Sequence, residues 1–376
     1  MFEIEAKTGE ASGSLVVQGR GQAAVSGGAG RIEAFAGRWS VPAEPLRRVA
    51  EVYPFRTSAH FERLMQRPGD PIWMQVVPDP RELQDAGGFR DPLGEEERSP
   101  VPNLVHRYPD RVLWIVCNRC AVHCRFCTRK RRWTDSVPAD ASLQAAGLDY
   151  IKKHPEIRDV LLSGGDPLML HPSTLEEYLR ALRAIRHVAI VRIGTRVPSA
   201  DPDRITPELA RMLALYHPLY VNIHFNHPRE INSRSALACS RLADAGIPLG
   251  SQTVLLQSVN DSAEVLRELF VGLLRLRVRP YYLFQMDLME STAHFRTPLH
   301  RGLAIVQSLR NRISGLAIPQ FVVDLPGGHG KVPLLPNAIH RVKQDRVVFR
   351  DFTGKNREYP LMPGEEDELK RFLSAE

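Results

Sequence analysis

The chain has 376 residues, 43% hydrophobic and 25% charged, the balance of an ordinary globular protein and enough length for a large barrel with appendages or for two domains. No apolar run approaches the roughly 18 residues of a membrane span, no basic segment followed by an apolar core opens the chain, and five cysteines, four of them between positions 117 and 127, are not a disulfide framework; a reducing, cytoplasmic setting is expected. The formal net charge of +7 admits a nucleic-acid partner, but no basic tail or nucleic-acid module accompanies it, so none is expected.

In chain order, residues 1–40 are rich in Gly and Ala with weak periodicity, which leaves a disordered segment and a small β element both open. Residues 44–84 alternate helical patterns with Pro breaks, and 91–103 read as a polar, Pro-containing connection. Six apolar stretches follow at 112–116, 160–163, 189–193, 219–223, 249–256 and 280–286. Helical patterns separate or follow them at 141–154, 174–185, 207–214, 234–245, 263–274 and 301–313. Continuous apolar strands alternating with helices predict a parallel sheet covered on both faces. Six βα units in succession predict an α/β fold built as a partial (β/α)6 barrel. A further strand at 319–323 runs into a Gly-rich loop, and the tail from Arg341 reads as two short strands and a terminal helix. The expected division is a mainly helical N-terminal extension at 1–105, a barrel core at 106–318 and a small C-terminal region at 319–376.

Such folds collect their chemistry at the C-terminal ends of the strands. There stand Cys120, Cys124 and Cys127 in Cys-Ala-Val-His-Cys-Arg-Phe-Cys, Ser163-Gly-Gly-Asp166 after the second strand, His224 after the fourth and Asp287 after the sixth. Three thiolates on one short loop suit three irons of a 4Fe–4S cube and leave one iron for another ligand. A structural zinc site completed by Cys117 is the alternative. The basic run Arg125, Arg129, Lys130, Arg131, Arg132 is expected partly to face a small anionic ligand and otherwise to be solvated. In 324–331, Asp-Leu-Pro-Gly-Gly-His-Gly-Lys, Leu325 and Val332 stand where a phosphate-binding P-loop needs Gly and Ser or Thr, so this is not one.

Five blocks together resemble the lysine 2,3-aminomutase family of radical S-adenosylmethionine (SAM) enzymes. They are His106-Arg-Tyr-Pro-Asp-Arg-Val112, Cys120 to Arg129, Ser163-Gly-Gly-Asp-Pro-Leu168, His294-Phe-Arg-Thr-Pro298 and Phe321 to Lys331. The resemblance runs over about residues 65–350 and implies a radical SAM barrel, a 4Fe–4S cluster on Cys120, Cys124 and Cys127, SAM, and pyridoxal 5'-phosphate (PLP) bound through Lys331. It implies that Arg107, Tyr108 and Arg111 help hold PLP and that Gly164, Gly165 and Asp166 receive the SAM amino group. His224 and Gln252 are expected to face SAM or PLP; for His224, as for His227, a purely structural histidine is the alternative.

The resemblance further implies that Arg129 pairs with the α-carboxylate of an amino acid substrate. Asp287, seven positions before His294, and Asp324, seven before Lys331, match two aspartates that contact its side chain. Paired buried carboxylates need a counter-charge, which the ε-ammonium of L-lysine supplies. The expected reaction is therefore migration of the α-amino group of lysine to C3, giving β-lysine, with arginine or another cationic amino acid as the alternative substrate. A radical SAM enzyme modifying RNA, or a non-catalytic metal-bound module, are the alternatives from other classes. An electron donor such as flavodoxin or ferredoxin and a homo-oligomer are implied. Cys117 departs from the family pattern, and the zinc-binding cysteines found near the C-terminus of some relatives are absent, so no zinc is predicted.

Overall fold

The structure, a computed structural model, describes residues 25–26, 29–85, 87–133, 141–335, 339–351 and 353–374. The expectation for residues 1–40 falls largely outside them. From Ala29 onward, however, the chain is helical: α1 (Ala29–Trp39) and α2 (Ala43–Val52) are followed by short helices α3 (Ala59–Arg63) and α4 (Pro71–Val76). β1 (Val25–Ser26), ahead of α1, pairs antiparallel with β2 (Arg56–Thr57), which lies between α2 and α3. Ser58 and Asp70 cap α3 and α4 through their side chains, each cap contributing about 1 kcal/mol. These helices bury Phe35, Phe55, Phe61, Ile72 and Trp73 together with Ala121 and Val122 of the cysteine loop. The N-terminal extension is thus a packing platform for that loop.

The main sheet has nine strands: β3 (Leu104–Tyr108), β4 (Arg111–Cys117), β5 (Asp159–Gly164), β6 (Ile190–Thr195), β7 (Leu219–His224), β8 (Leu249–Leu255), β9 (Val278–Gln285), β10 (Gln320–Leu325) and β11 (Gly330–Pro333). Strands β4 through β10 are parallel neighbours in sequence order, while β3 and β11 lie antiparallel on the two edges. The crossovers are α5 (Ala141–Lys153), α6 (Pro172–Arg183), the one-turn α7 (Val197–Ala200) with α8 (Pro207–Ala214), α9 (Ser233–Asp244), α10 (Ala263–Arg275) and α11 (Leu299–Leu309). Thr206, Asn232 and Ser262 cap α8, α9 and α10. Val160, Leu162, Val191, Ile193, Val221 and Ile223 are fully buried with Leu179, Leu213 and Leu242 of the helices, the burial on both faces that an apolar parallel strand requires.

The six expected strands and six helices are present, within a few residues of their expected ends. Three features differ. The boundary expected at residue 318 falls inside the sheet, because β10 pairs in parallel with β9. The Gly-rich stretch is not all loop: Gly330–Pro333 returns as β11, with Asp324 opposite Lys331 in the register. The tail holds three strands, β12 (Ile339–Val342), β13 (Arg346–Arg350) and β14 (Asn356–Pro360), before α12 (Glu365–Ser374). No described helix is long and apolar enough to cross a membrane.

Candidate active site

A cavity of about 630 Å³ opens at the C-terminal ends of the parallel strands. Its wall brings together Cys120, Cys124, Cys127, Arg129, Gly164, Gly165, Asp166, His224, Gln252, Asp287, Asp324 and Lys331. Residues from separate chain segments converge there because the parallel strands all end at the same side of the barrel, and the antiparallel β11 starts there.

The cysteine loop is fastened from below. Arg125, fully buried, donates to both carboxylate oxygens of Glu82 and to the carbonyls of Tyr53 and Pro54. Lys130 Nζ reaches the same Glu82 at 2.6 Å, and Arg131 pairs with Asp91, Glu95 and Glu96. This corrects the expectation for the basic run: Arg125, Lys130 and Arg131 are neither solvated nor facing a ligand, because each is neutralised inside the fold. Arg196 Nη1 donates to Cys124 Sγ at 2.8 Å, and its Nη2 to Gln75 and Glu230. Burial and neighbouring Cys124 push the Cys127 thiol up to about 11; a bound metal reverses this by ionising a coordinating thiol outright. Among the described residues no three His, Cys, Asp or Glu side chains gather as ligands of a single ion. A cluster asks instead for one thiolate per iron, and three thiols on one cavity wall, with an Arg196 N–H aimed at one of them, fit that demand.

Gly164 and Gly165 are required by the loop itself. At Gly164, with φ of +130°, a Cβ would lie 2.1 Å from the carbonyl oxygen of Cys117, and at Gly165 2.4 Å from that of Arg119. Gly164→Ala is expected to destabilise the chain by at least about 2 kcal/mol, since left-handed strain and overpacking add. It should also lower the iron bound on reconstitution; thermal melting and iron analysis check both. Asp166 does not offer a free carboxylate. It accepts from the backbone N–H of Leu168 and Arg196 and from the Thr195 hydroxyl, so its role here is to tie β5 to β6.

Burial and Arg196 lower His224 to about 3, which keeps its ring neutral. His227 caps a turn, its Nδ1 accepting from the Arg229 N–H. Asp324 accepts from Arg107 Nη1 at 2.9 Å and from Lys331 Nζ at 2.8 Å. The Tyr108 hydroxyl accepts from the Lys331 backbone N–H at 3.0 Å. Arg107 and Tyr108 thus flank the lysine from the opposite edge strand. Arg111 stacks on the Tyr108 ring at 4.1 Å and pairs with Asp110. Burial, with Asp324 next to it, raises Asp287 to about 7, and its shielded Oδ1 has no hydrogen-bond partner. One primary amine flanked by an arginine and a tyrosine, with two carboxylates beside it, fits a group bound through an aldehyde.

Three residues escaped sequence reasoning. Glu82 sits in the stretch read as alternating helix and Pro breaks, and Glu95 in the polar connection at 91–103, where the acidic run at 95–97 was a signal. Arg196 stands directly after a strand, the position that marked the other candidates.

A family model described as lysine-2,3-aminomutase matches residues 306–368, and one for the radical SAM superfamily matches 114–269. The L-lysine 2,3-aminomutase of Clostridium subterminale is 50% identical over 291 residues, 76% of this chain and 70% of its own. That of Bacillus subtilis is 43% identical, covering 84% of this chain and 68% of its own. The glutamate 2,3-aminomutase of Clostridioides difficile is 46% identical, covering 76% and 68%. With the cysteine loop, the barrel and the lysine strand in place, the chain belongs to the lysine 2,3-aminomutase family of radical SAM proteins.

Proposed function

We propose that this chain moves the α-amino group of L-lysine to C3, giving β-lysine. The carrying observation is the pair Asp287 and Asp324 beside Lys331 in the cavity that also holds Arg129. Overall identity does not choose the substrate, since a relative named for glutamate is about as similar as those named for lysine; local charge does. Asp324 is balanced by Arg107 and Lys331, while Asp287 Oδ1 has no partner. Asp287 is therefore the carboxylate left for a substrate ammonium, and an acidic side chain would be repelled there.

When bound, the cluster with SAM supplies a hydrogen-abstracting radical, and PLP an aldehyde carbon for the migrating nitrogen. Cys120, Cys124 and Cys127 hold the first; Lys331, flanked by Arg107 and Tyr108, holds the second. Arg129 fixes the α-carboxylate and the aspartates fix the ε-ammonium, so C2 and C3 are presented at one spot and water is kept out. The inward-turned Arg125, Lys130 and Arg131 take away the basic surface that the RNA-modifying alternative would use. A small donor of flavodoxin or ferredoxin type for the required electron, and a homo-oligomeric assembly, belong to the same reading.

The test is anaerobic incubation of the reconstituted chain with SAM, PLP, dithionite and one amino acid at a time, followed by chromatography of the products. β-Lysine forms from lysine, and no β-isomer forms from arginine or glutamate. SAM cleavage without any β-lysine would overturn the assignment.

A further inference from the structure

Residues 91–98 form a strap that touches both ends of the cavity. At one end Gly327 N donates to Pro92 O at 3.0 Å, and Arg107 Nη2 donates to Leu93 O at 2.6 Å. A Cβ at Gly94 would lie 2.9 Å from the Gly327 carbonyl carbon, so strap and Gly-rich loop are in direct contact. At the other end stands Glu95, 3% exposed. It accepts from Arg129 Nε at 3.0 and 2.9 Å and from Arg129 Nη2 at 2.6 Å. Burial pushes this carboxyl up, but Arg129 and Arg131 hold it below the ordinary carboxylate range.

The geometry is selective about which edge of the guanidinium is used. Glu95 occupies the side edge, Nε and Nη2, while Nη1 donates to Ser163 Oγ at 3.1 Å and to Gly164 O at 3.4 Å. An arginine carries five N–H donors in a rigid fork. With Nε and one Nη2 N–H on Glu95 and both Nη1 N–H groups on Ser163 and Gly164, a single Nη2 N–H is left for a carboxylate ligand. Without Glu95, the long side chain is free to rotate and to present either edge. Arg131, also paired with Glu95, offsets the charge that would otherwise oppose an incoming anion.

We propose that Glu95 is the positioning residue that aims the remaining Nη2 N–H of Arg129 at the α-carboxylate of the substrate, and that the strap couples this end of the site to the Gly-rich loop. This rests on the lysine reading given above. It is a positioning role: Glu95 touches Arg129 and not the reacting atoms.

The test uses the chain reconstituted with iron, sulfide, SAM and PLP, and follows the visible absorption of PLP as L-lysine or 1,5-diaminopentane is added. The diamine carries both amines of lysine but no carboxylate. In Glu95→Ala, lysine affinity falls about 10–100-fold, the range for a displaced positioning group, to the level of the diamine, whose own affinity is unchanged. Glu95→Gln, which keeps the shape and one acceptor oxygen, recovers part of the loss and decides the matter where the alanine variant does not fold. Equal losses for lysine and diamine, or no loss for either, overturn the proposal. Failure of the unmodified chain to respond to lysine at all would strike the substrate assignment instead.

Discussion

Lys331→Ala is expected to abolish formation of β-lysine, by at least about 10³-fold, the scale on which removal of one member of a cooperating catalytic set is felt, while reductive cleavage of SAM continues. Lys331 is the one lysine among the described residues lining the cavity, and a bond to an aldehyde needs a primary amine. Its position is built by β11: the antiparallel register sets it opposite Asp324, and the Tyr108 hydroxyl holds its backbone. The cysteine loop, by contrast, is held by Glu82, Arg196 and the N-terminal helices. Removing the lysine therefore leaves the cluster end standing. Lys331→Arg is the control, because it keeps a cation for Asp324 but cannot form the bond. The measurements are PLP absorption, release of 5'-deoxyadenosine and β-lysine yield. Parallel loss of SAM cleavage in both variants would mean that the lysine serves the fold rather than PLP.

Asp287→Asn is expected to lower kcat/KM for lysine by about 10²–10³-fold, because breaking a buried charge pair costs about 3–5 kcal/mol. The same residue sets a pH dependence. In the free chain burial and Asp324 hold its carboxyl at about 7, so it is largely protonated at pH 6. The ε-ammonium favours the ionised form, so binding releases a proton below that value. Affinity for lysine therefore rises from pH 6 to pH 8 and then levels. In Asp287→Asn that rise disappears. Titration of lysine against the PLP absorption across this window checks both statements, and an unchanged slope in the variant would remove Asp287 from the substrate site.

The parallel strands were legible because burial on both faces leaves them almost uninterrupted runs of Val, Ile and Leu. The helices were legible from their apolar spacing. The edge strands were not. Leu104–Tyr108 ends in polar residues, and Gly330–Pro333 carries the Gly and Pro that mark loops; only pairing with a neighbour makes either a strand. The cysteines and Lys331 were legible from spacing and family likeness. The triad Arg107, Asp324 and Lys331 was not, since its arginine and aspartate lie 217 positions apart and only the closed fold introduces them. Arg129 was found, but its partner Glu95 lay in a connection whose polarity reads as exposure. Asp166 was named for its strand end, and its carboxylate accepts there from Leu168, Thr195 and Arg196.

The nine strands never meet end to end: β3 and β11 are the outermost members, and no backbone ladder joins them. That seam is spanned by Arg107 on Asp324 and by the Tyr108 hydroxyl on the Lys331 amide, with the 91–98 strap bonded to both sides. The barrel is thus closed by side chains and a strap rather than by a ladder. A cofactor seated on Lys331 between those fasteners would stabilise the closed form by simple mass action. Loading the site and finishing the architecture would then be one equilibrium, with the last two strands as its most easily opened part.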